Sequence, residues 1–210
     1  GLQVVEHIPE VLVQSQYSYA DWMRDPAIQA QAAPVVRAHL QRLGVLAQVD
    51  STPDSVTTRV RYQHPQSASV SILIPVCADL LTLRRCVESL FEHTRYGAYE
   101  VLLIANGDES AEVQGWLKAM EGLGGDQLRV VGVQSRSRAE SLNQASEQAR
   151  GDYLLLLDAQ CALFDAQWLD ELMLQAQRPE VGVVGPKLFG RDGTVAAGAL
   201  VLGLRGLAGN

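Results

Sequence analysis

The chain has 210 residues, 47% of them hydrophobic and 20% charged, with a formal net charge of -7. This composition argues against a disordered chain, and the length suffices for one α/β domain with an additional segment or for two small units. The acidic balance excludes the basic surface of a nucleic-acid-binding protein, so no nucleic acid partner is expected.

The first part of the chain predicts one long helix between short strands. Asp25 and Pro26 form a helix start, with the aspartate as N-cap and the proline in the first turn, and Gly44 ends the helix. Strand-like stretches occur at positions 4–13, 45–49 and 56–62. We therefore expect residues 1–65 to form an N-terminal linker or subdomain, and residues 69–210 to form a separate domain.

The rest of the chain alternates between apolar strands and amphipathic helices. Asp79, Asp108, Ser137 and Asp165 are predicted to cap the helices. The predicted strands cover residues 70–75, 99–104, 128–133, 152–157 and 181–184. This order predicts an α/β fold, with a Rossmann-like, mostly parallel sheet and helices on both of its faces.

The candidate ligand site lies at one edge of this predicted sheet, because ligands of open α/β sheets bind beyond the carboxyl ends of the strands. The loops at that edge are residues 75–77, 105–108, 134–138 and 158–160. Three of them lead into helix N-termini, whose backbone N–H groups favour a phosphate. Arg136 and Arg138 lie beside one such helix and could pair with phosphate oxygens.

One acid, Asp158, directly follows a run of four leucines at this edge. A carboxylate at the end of an apolar strand is costly unless something compensates it. Either a divalent metal or a role as a turn cap would do so, and the residues alone leave both interpretations open.

Several other classes of protein lack support in the sequence. Neither GxGxxG nor GxxxxGK[ST] occurs, which argues against a dinucleotide-binding domain and a P-loop enzyme. The spacing of Cys77, Cys86 and Cys161 fits neither a zinc site nor a disulfide framework, so reduced thiols are expected. The longest apolar run, residues 196–207, is too short for a transmembrane segment. We expect a cytoplasmic protein, with the inner membrane face as the alternative location.

Residues 69–210 resemble the family 2 glycosyltransferases, inverting enzymes of GT-A fold that use nucleotide-sugar donors. The similarity is carried by five stretches in the family's order, at residues 70–76, 99–107, 141–145, 149–158 and 168–172. A further stretch, residues 181–188 followed by Asp192-Gly193-Thr194 and Gly198, is similar to the rhamnosyltransferase-like subset. The resemblance implies a fragment of a longer chain with other glycosyltransferase domains.

The resemblance also implies a donor site that takes a UDP- or dTDP-linked sugar. The acidic triplet of the family, here Asp158-Ala159-Gln160, would hold Mg²⁺ or Mn²⁺ against the donor diphosphate, with Asp158 and Gln160 as the implied metal ligands. The implied nucleotide-sugar site comprises Pro75, Val76, Cys77, Ala105, Asn106, Arg138, Asn143 and Asp158.

Three of these positions depart from the family pattern, and the first of them, Val76, stands where a threonine is often found. Ala105 stands where an acid is common, and Gln160 stands where the last acid of the triplet is the usual metal ligand. Because a neutral amide coordinates a hard cation less strongly than a carboxylate, the metal is expected to be weakly held or lost. No catalytic base can be assigned, and the acceptor half is expected outside this chain.

Three functions remain to be weighed on these residues. The first is a donor-binding domain for inverting glycosyl transfer in bacterial cell-surface polysaccharide synthesis. The second is a non-catalytic module of the same fold that scaffolds active domains. The third, a nucleotidyltransferase of similar sheet order, is disfavoured because residues 75–79 lack a Gly-rich signature with a basic residue.

Overall fold

The computed structural model describes residues 10–11, 13–16, 18–51, 58–198, 201–202 and 208–209. The chain divides into two compact units, Gly1–Gln63 and His64–Asn210. Most of the strand expected at positions 4–13 lies outside the described residues.

The first unit contains two helices and a hairpin. Asp25 accepts a hydrogen bond from the backbone N–H of Ala27 at 2.8 Å and so caps the second helix, which runs on through Pro34. Arg37 donates from Nη2 to the carbonyl oxygen of Val49 at 3.1 Å, which ties this helix to the antiparallel hairpin. The elements are α1 (Tyr19–Arg24), α2 (Pro26–Arg42), β1 (Ala47–Ser51) and β2 (Thr58–Tyr62).

The second unit is built on a parallel sheet. Its helices are α3 (Leu80–His93), α4 (Ala111–Gly124), α5 (Arg138–Ser146) and α6 (Trp168–Ala176). Its strands are β3 (Val70–Pro75), β4 (Tyr99–Ala105), β5 (Leu128–Gly132), β6 (Tyr153–Leu156), β7 (Leu188–Phe189), β8 (Val195–Ala197), β9 (Val201–Leu202) and β10 (Ala208–Gly209). Four of these strands pair in the order β5-β4-β3-β6, and every neighbouring pair is parallel. The prediction of a mostly parallel sheet is therefore confirmed.

Alternate side chains of the central strands face opposite layers of helices. Ile72 and Ile74 belong to one buried cluster, to which α3, α4 and α6 contribute. Leu73 and Leu102 belong to a second buried cluster on the other face, which includes Ala145 of α5. Strands buried on both faces need apolar residues in every position, and this requirement explains the continuous apolar runs in the sequence.

A buried polar network fixes the connection between α5 and β6. Ser71 donates to Glu100 at 2.7 Å, and Glu100 also accepts from Arg129 at 2.8 Å and from the backbone N–H of Arg150 at 2.7 Å. The backbone N–H of Gly151 donates to Ser71 Oγ at 2.8 Å. Burial raises the pKa of Glu100, but these hydrogen bonds outweigh it and leave the pKa below its ordinary value. The network therefore holds the entry of β6 against β3 and β4.

Two sequence predictions in this unit are wrong. Residues 181–184 form no strand, and Val183 is 92% exposed, since Gly182 within the run and Gly185 directly after it weaken its tendency to extend and pair. Asp108 does not cap α4, because the loop continues to Ser110, whose hydroxyl accepts from the backbone of Val113.

Helix α6 also begins later than expected. Its N-cap position is Gln167, which makes no side-chain capping bond. Asp165 instead accepts from the backbone N–H of Gln167 at 2.9 Å and so stabilises the turn before the helix. By contrast, Asp79 and Ser137 cap α3 and α5 as predicted.

Candidate functional site

The carboxyl ends of the four parallel strands meet at one edge of the sheet. The chain passes from β3 through β4 to β5 and then returns to place β6 on the other side of β3. The backbone N–H of Leu157 donates to Leu73 at 3.0 Å, and that of Val76 donates to Ile104 at 2.9 Å. The loops after β3 and β6 thus flank the topological switch point, which is the usual place for a ligand in such a sheet.

Asp158 and Arg138 form an ion pair at this switch point. Arg138 Nη1 lies 2.8 Å from Asp158 Oδ2, and the two side chains are 58% and 40% exposed. The backbone N–H of Gln160 donates to Asp158 Oδ1 at 2.9 Å. This backbone bond, and then the bond from Arg138, lower the pKa of Asp158, although burial opposes them. Both carboxylate oxygens are therefore engaged with donors, and the acid is ionised at neutral pH.

Helix α5 delivers Arg138 to the site. Ser137 caps the helix by accepting from the backbone N–H of Glu140 at 3.2 Å, and Glu140 in turn accepts from the backbone N–H of Arg136 at 2.8 Å. Arg138 is the first residue of the helix. A guanidinium therefore lies at a helix N-terminus, and the helix dipole adds to its attraction for an anion.

The turn that carries Asp158 is held by a buried side chain and by hydrogen bonds to its backbone. Ala159 is buried in the larger cluster, while Gln160 is exposed. The backbone N–H of Cys161 donates to the carbonyl oxygen of Asp158 at 2.9 Å, and Arg85 Nη2 of α3 lies 3.4 Å from the carbonyl oxygen of Gln160. Asp158 therefore caps its own turn and also lies at the carboxyl edge of the sheet, where the ligand is expected.

A second polar pair joins the loops after β4 and β5. Ser135 donates from its hydroxyl to Asn106 Oδ1 at 2.8 Å. The backbone N–H groups of Asn106 and Gly107 donate to the carboxylate of Glu109 at 2.7 and 3.0 Å. Gly107 has a φ of 88°, in the left-handed region that favours glycine. These contacts hold the Asn106 side chain at the same edge as Asp158.

The other predicted site residues lie at different depths. Pro75, at the end of β3, and Val76 and Cys77, just beyond it, are partly buried, and Ala105 is buried at the end of β4. Asn143 is exposed on α5, five residues beyond Arg138 and so about 140° around the helix from it. The structure therefore brings Arg138, Asn106 and Asp158 to the edge, but does not bring Asn143 beside Arg138.

Two residues at this edge were missed by the sequence reasoning. Ser135 lies two residues after the predicted third strand, within the candidate loop 134–138, so its position in that loop was a usable signal. Arg85 lies inside a helix, and no local pattern indicates that it reaches the carbonyl oxygen of Gln160. Only the packing of α3 against the sheet brings it there.

The donor set does not fit a divalent metal. Among the described residues, no group of three or more His, Cys, Asp or Glu side chains could hold a metal ion. Asp158 is paired with a guanidinium, and Gln160 carries a neutral amide in place of an acid. A hard divalent cation beside a phosphate is usually held by one or two carboxylates, and the single carboxylate here is already paired.

The fold of the second unit is that of the GT-A glycosyltransferases. A solved structure of similar fold is the mannosyltransferase PcManGT from Pyrobaculum calidifontis in complex with GDP-Man and Mn²⁺, with a TM-score of 0.50 and 17% identity. The match covers 74% of this chain and 43% of that one, and at this identity it concerns the fold alone.

The chain belongs to glycosyl transferase family 2, since a sequence model of that family matches residues 71–202. The expected family resemblance is thereby confirmed. Over 98% of its length, the chain is 36% identical to the O-antigen biosynthesis protein RfbC of Myxococcus xanthus and 31% identical to the uncharacterized protein y4gI of Sinorhizobium fredii. It spans only 16% and 23% of the lengths of these two relatives. Within the described ranges, no helix is long and apolar enough to cross a bilayer.

Proposed function

We propose that the second unit binds a nucleotide-diphosphate sugar at the carboxyl edge of its sheet and is the donor-binding half of an inverting glycosyltransferase. The observation that carries this proposal is the position of Arg138, at a helix N-terminus beside the switch point, oriented by Asp158. Such a site presents a fixed positive charge and helix N–H groups to a diphosphate.

The same edge offers contacts for the nucleoside. Val76 and Cys77 form a partly buried apolar surface on which a base can lie, and Asn106 presents an amide already oriented by Ser135. Ala105 supplies no carboxylate there, so the Asn106 amide is the polar group left to recognise the base. The pyrimidine base of a UDP- or dTDP-linked sugar, a flat ring with a few polar edge atoms, fits an apolar surface beside a single amide.

The relatives support a setting in cell-surface polysaccharide synthesis. One of them is named as an O-antigen biosynthesis protein, and this chain matches 16% of its length. In our proposal, residues 69–210 form the donor half, residues 1–65 are a linker or subdomain, and further domains of a longer chain supply the acceptor half and its catalytic base.

A second candidate, a non-catalytic module of the same fold, is favoured by one observation. The triplet retains a single acid, Asp158, and that acid is already paired with Arg138. In this account the unit would organise neighbouring glycosyltransferase domains and bind no donor.

Calorimetric titration separates the two candidates. UDP-, dTDP- and GDP-linked sugars would be titrated into the chain, and we expect binding of at least one pyrimidine donor. Asn106→Ala should weaken that binding up to about tenfold, since a lost hydrogen bond costs about 0.5–1.5 kcal/mol. The control is Gln127→Ala, an exposed amide near the opposite end of β5, which should leave binding unchanged. Absence of binding by every donor would favour the non-catalytic module.

A further inference from the structure

We infer that Arg138 takes the place of a divalent cation at Asp158, so that the second unit binds a nucleotide diphosphate without metal. The nucleotide part of this inference rests on the proposed function. Its metal part, that Asp158 is closed to a divalent cation, stands on the geometry of the chain alone.

Both oxygens of the Asp158 carboxylate are occupied. Asp158 Oδ2 accepts from Arg138 at 2.8 Å, and Oδ1 accepts from the backbone N–H of Gln160 at 2.9 Å. A metal ion at Oδ2 would meet the positive guanidinium in direct contact, and one at Oδ1 would compete with the Gln160 N–H beside the same positive charge. Because like charges at such distances repel strongly, the ion pair must open before Asp158 can ligate a cation.

The turn offers a divalent cation few charged ligands. Arg85 lies against the carbonyl oxygen of Gln160, and Gln160 itself adds no charge. A cation beside a bound phosphate is usually held by one or two carboxylates together with the phosphate oxygens, and the single acid of this turn is already paired with Arg138.

An arginine at this place can bind a phosphate directly. A guanidinium is always charged, and its planar set of N–H donors matches phosphate oxygens. Arg138 uses Nη1 for Asp158, so its other donors can face a phosphate together with the first-turn backbone N–H groups of α5 other than that of Glu140, which Ser137 caps. The carboxylate then serves to orient the arginine, and the arginine supplies the positive charge that balances a leaving nucleotide.

The first measurement is a titration of the full chain with Mn²⁺ alone. Electron paramagnetic resonance reports the concentration of the unbound ion. We expect the wild-type chain and Gln160→Asp to leave the ion free, because Arg138 still holds Asp158 in both. The double variant Arg138→Ala with Gln160→Asp should bind the ion at least about tenfold more tightly than Gln160→Asp alone. Binding of Mn²⁺ by the wild-type chain that is lost in Asp158→Asn would overturn the inference.

The second measurement is calorimetry with UDP, dTDP and GDP, in EDTA and in Mn²⁺. The dissociation constant of a bound nucleotide should differ by less than about threefold between the two buffers, and Arg138→Ala should raise it at least about tenfold. The control is Arg84→Ala on α3, which removes an arginine of similar exposure that also pairs with an acid, Glu88 at 3.3 Å. It should leave binding unchanged, and Arg138→Gln replaces the alanine variant if the latter unfolds.

The outcomes separate the inference from the proposed function. Nucleotide binding that requires Mn²⁺ would overturn the inference and leave the donor-binding function in place. If no nucleotide binds in either buffer, the donor-binding function fails together with the nucleotide part of the inference. The Mn²⁺ titration then still decides whether Asp158 is closed to a metal.

Discussion

Glu100 shows how one buried acid links three strands. Its carboxylate accepts from Ser71 and Arg129 on two neighbouring strands and from the backbone of Arg150 before β6. The group is nearly inaccessible to water, at 9% exposure. Protonation of Glu100 would weaken its hydrogen bonds to these partners. Because the partners lie on neighbouring strands, we expect the free energy of unfolding of the second unit to fall.

This arrangement predicts a loss of stability in acid. The pKa of Glu100 is lower in the folded chain than in the unfolded chain, where it is about 4.3. Its stabilising effect is therefore complete above that pH and is lost as the pH falls through the folded pKa. Urea unfolding should show that Glu100→Gln is less stable than wild type at pH 7 and that this difference shrinks at pH 3. The exposed Glu121→Gln is the control, and a difference independent of pH would contradict the account.

For single residues, the sequence predicted the place of a residue along its strand or helix better than the residue that it contacts. The placement of Asp158 after an apolar strand and of Arg138 at a helix start followed from local pattern, and Ser137 caps the helix as expected. The bond between Arg138 and Asp158 joins residues twenty positions apart. It depends on how α5 packs against β3 and β4 while β6 pairs with β3, which no local spacing specifies.

At the scale of the elements, the connection from α5 into β6 leaves no room for a side chain at Gly151. A Cβ atom on Gly151 would lie 2.5 Å from the backbone nitrogen of Ser71 and 2.8 Å from the carbonyl carbon of Val70. Both are backbone atoms of a central strand, so neither can move without disturbing the sheet. The lack of a side chain at Gly151 thus permits β6 to enter beside β3.

Gly151→Ala should therefore destabilise the second unit by about 1–3 kcal/mol, the usual cost of overpacking. The matched control is Gly115→Ala within α4, where a Cβ would meet no atom within 4 Å. That change should be neutral or stabilising by about 0.5–1 kcal/mol, since alanine is the better helix former. Urea unfolding of both variants measures the difference, and equal stabilities would refute this explanation of the glycine.

The elements themselves were largely predictable from sequence. Strands β3 and β4 are apolar or nearly so along their length and are buried on both faces, as such runs predict. Strand β6 is equally apolar, but it lies at the edge of the sheet and leaves Leu154 and Leu156 51% and 61% exposed. The stretch 181–184 has the same apolar character, yet it pairs with no strand in the described part of the chain. A short apolar run reports only that burial is favourable and carries no information on whether a partner strand lies beside it.

On the scale of the molecule, the topology of the second unit is the basis for where we expect a ligand to bind. The order β5-β4-β3-β6 places the switch point between β3 and β6, and the loops that follow these strands flank it. The sequence predicted correctly that the sheet is mostly parallel, so that these loops meet at one edge, and a ligand there stays a prediction. The division into two compact units, Gly1–Gln63 and His64–Asn210, places every residue of the candidate site in the second.

The most direct test of a donor site at this edge is amide chemical-shift mapping of the full chain by NMR, during titration with a UDP- or dTDP-linked sugar in EDTA. We predict shifts that concentrate in residues 75–77, 105–107, 134–139 and 158–161, with little change around Gly151 and Gln127 at the amino edge. Shifts confined to the amino edge or to the first unit, or no shifts with any donor, would contradict the account.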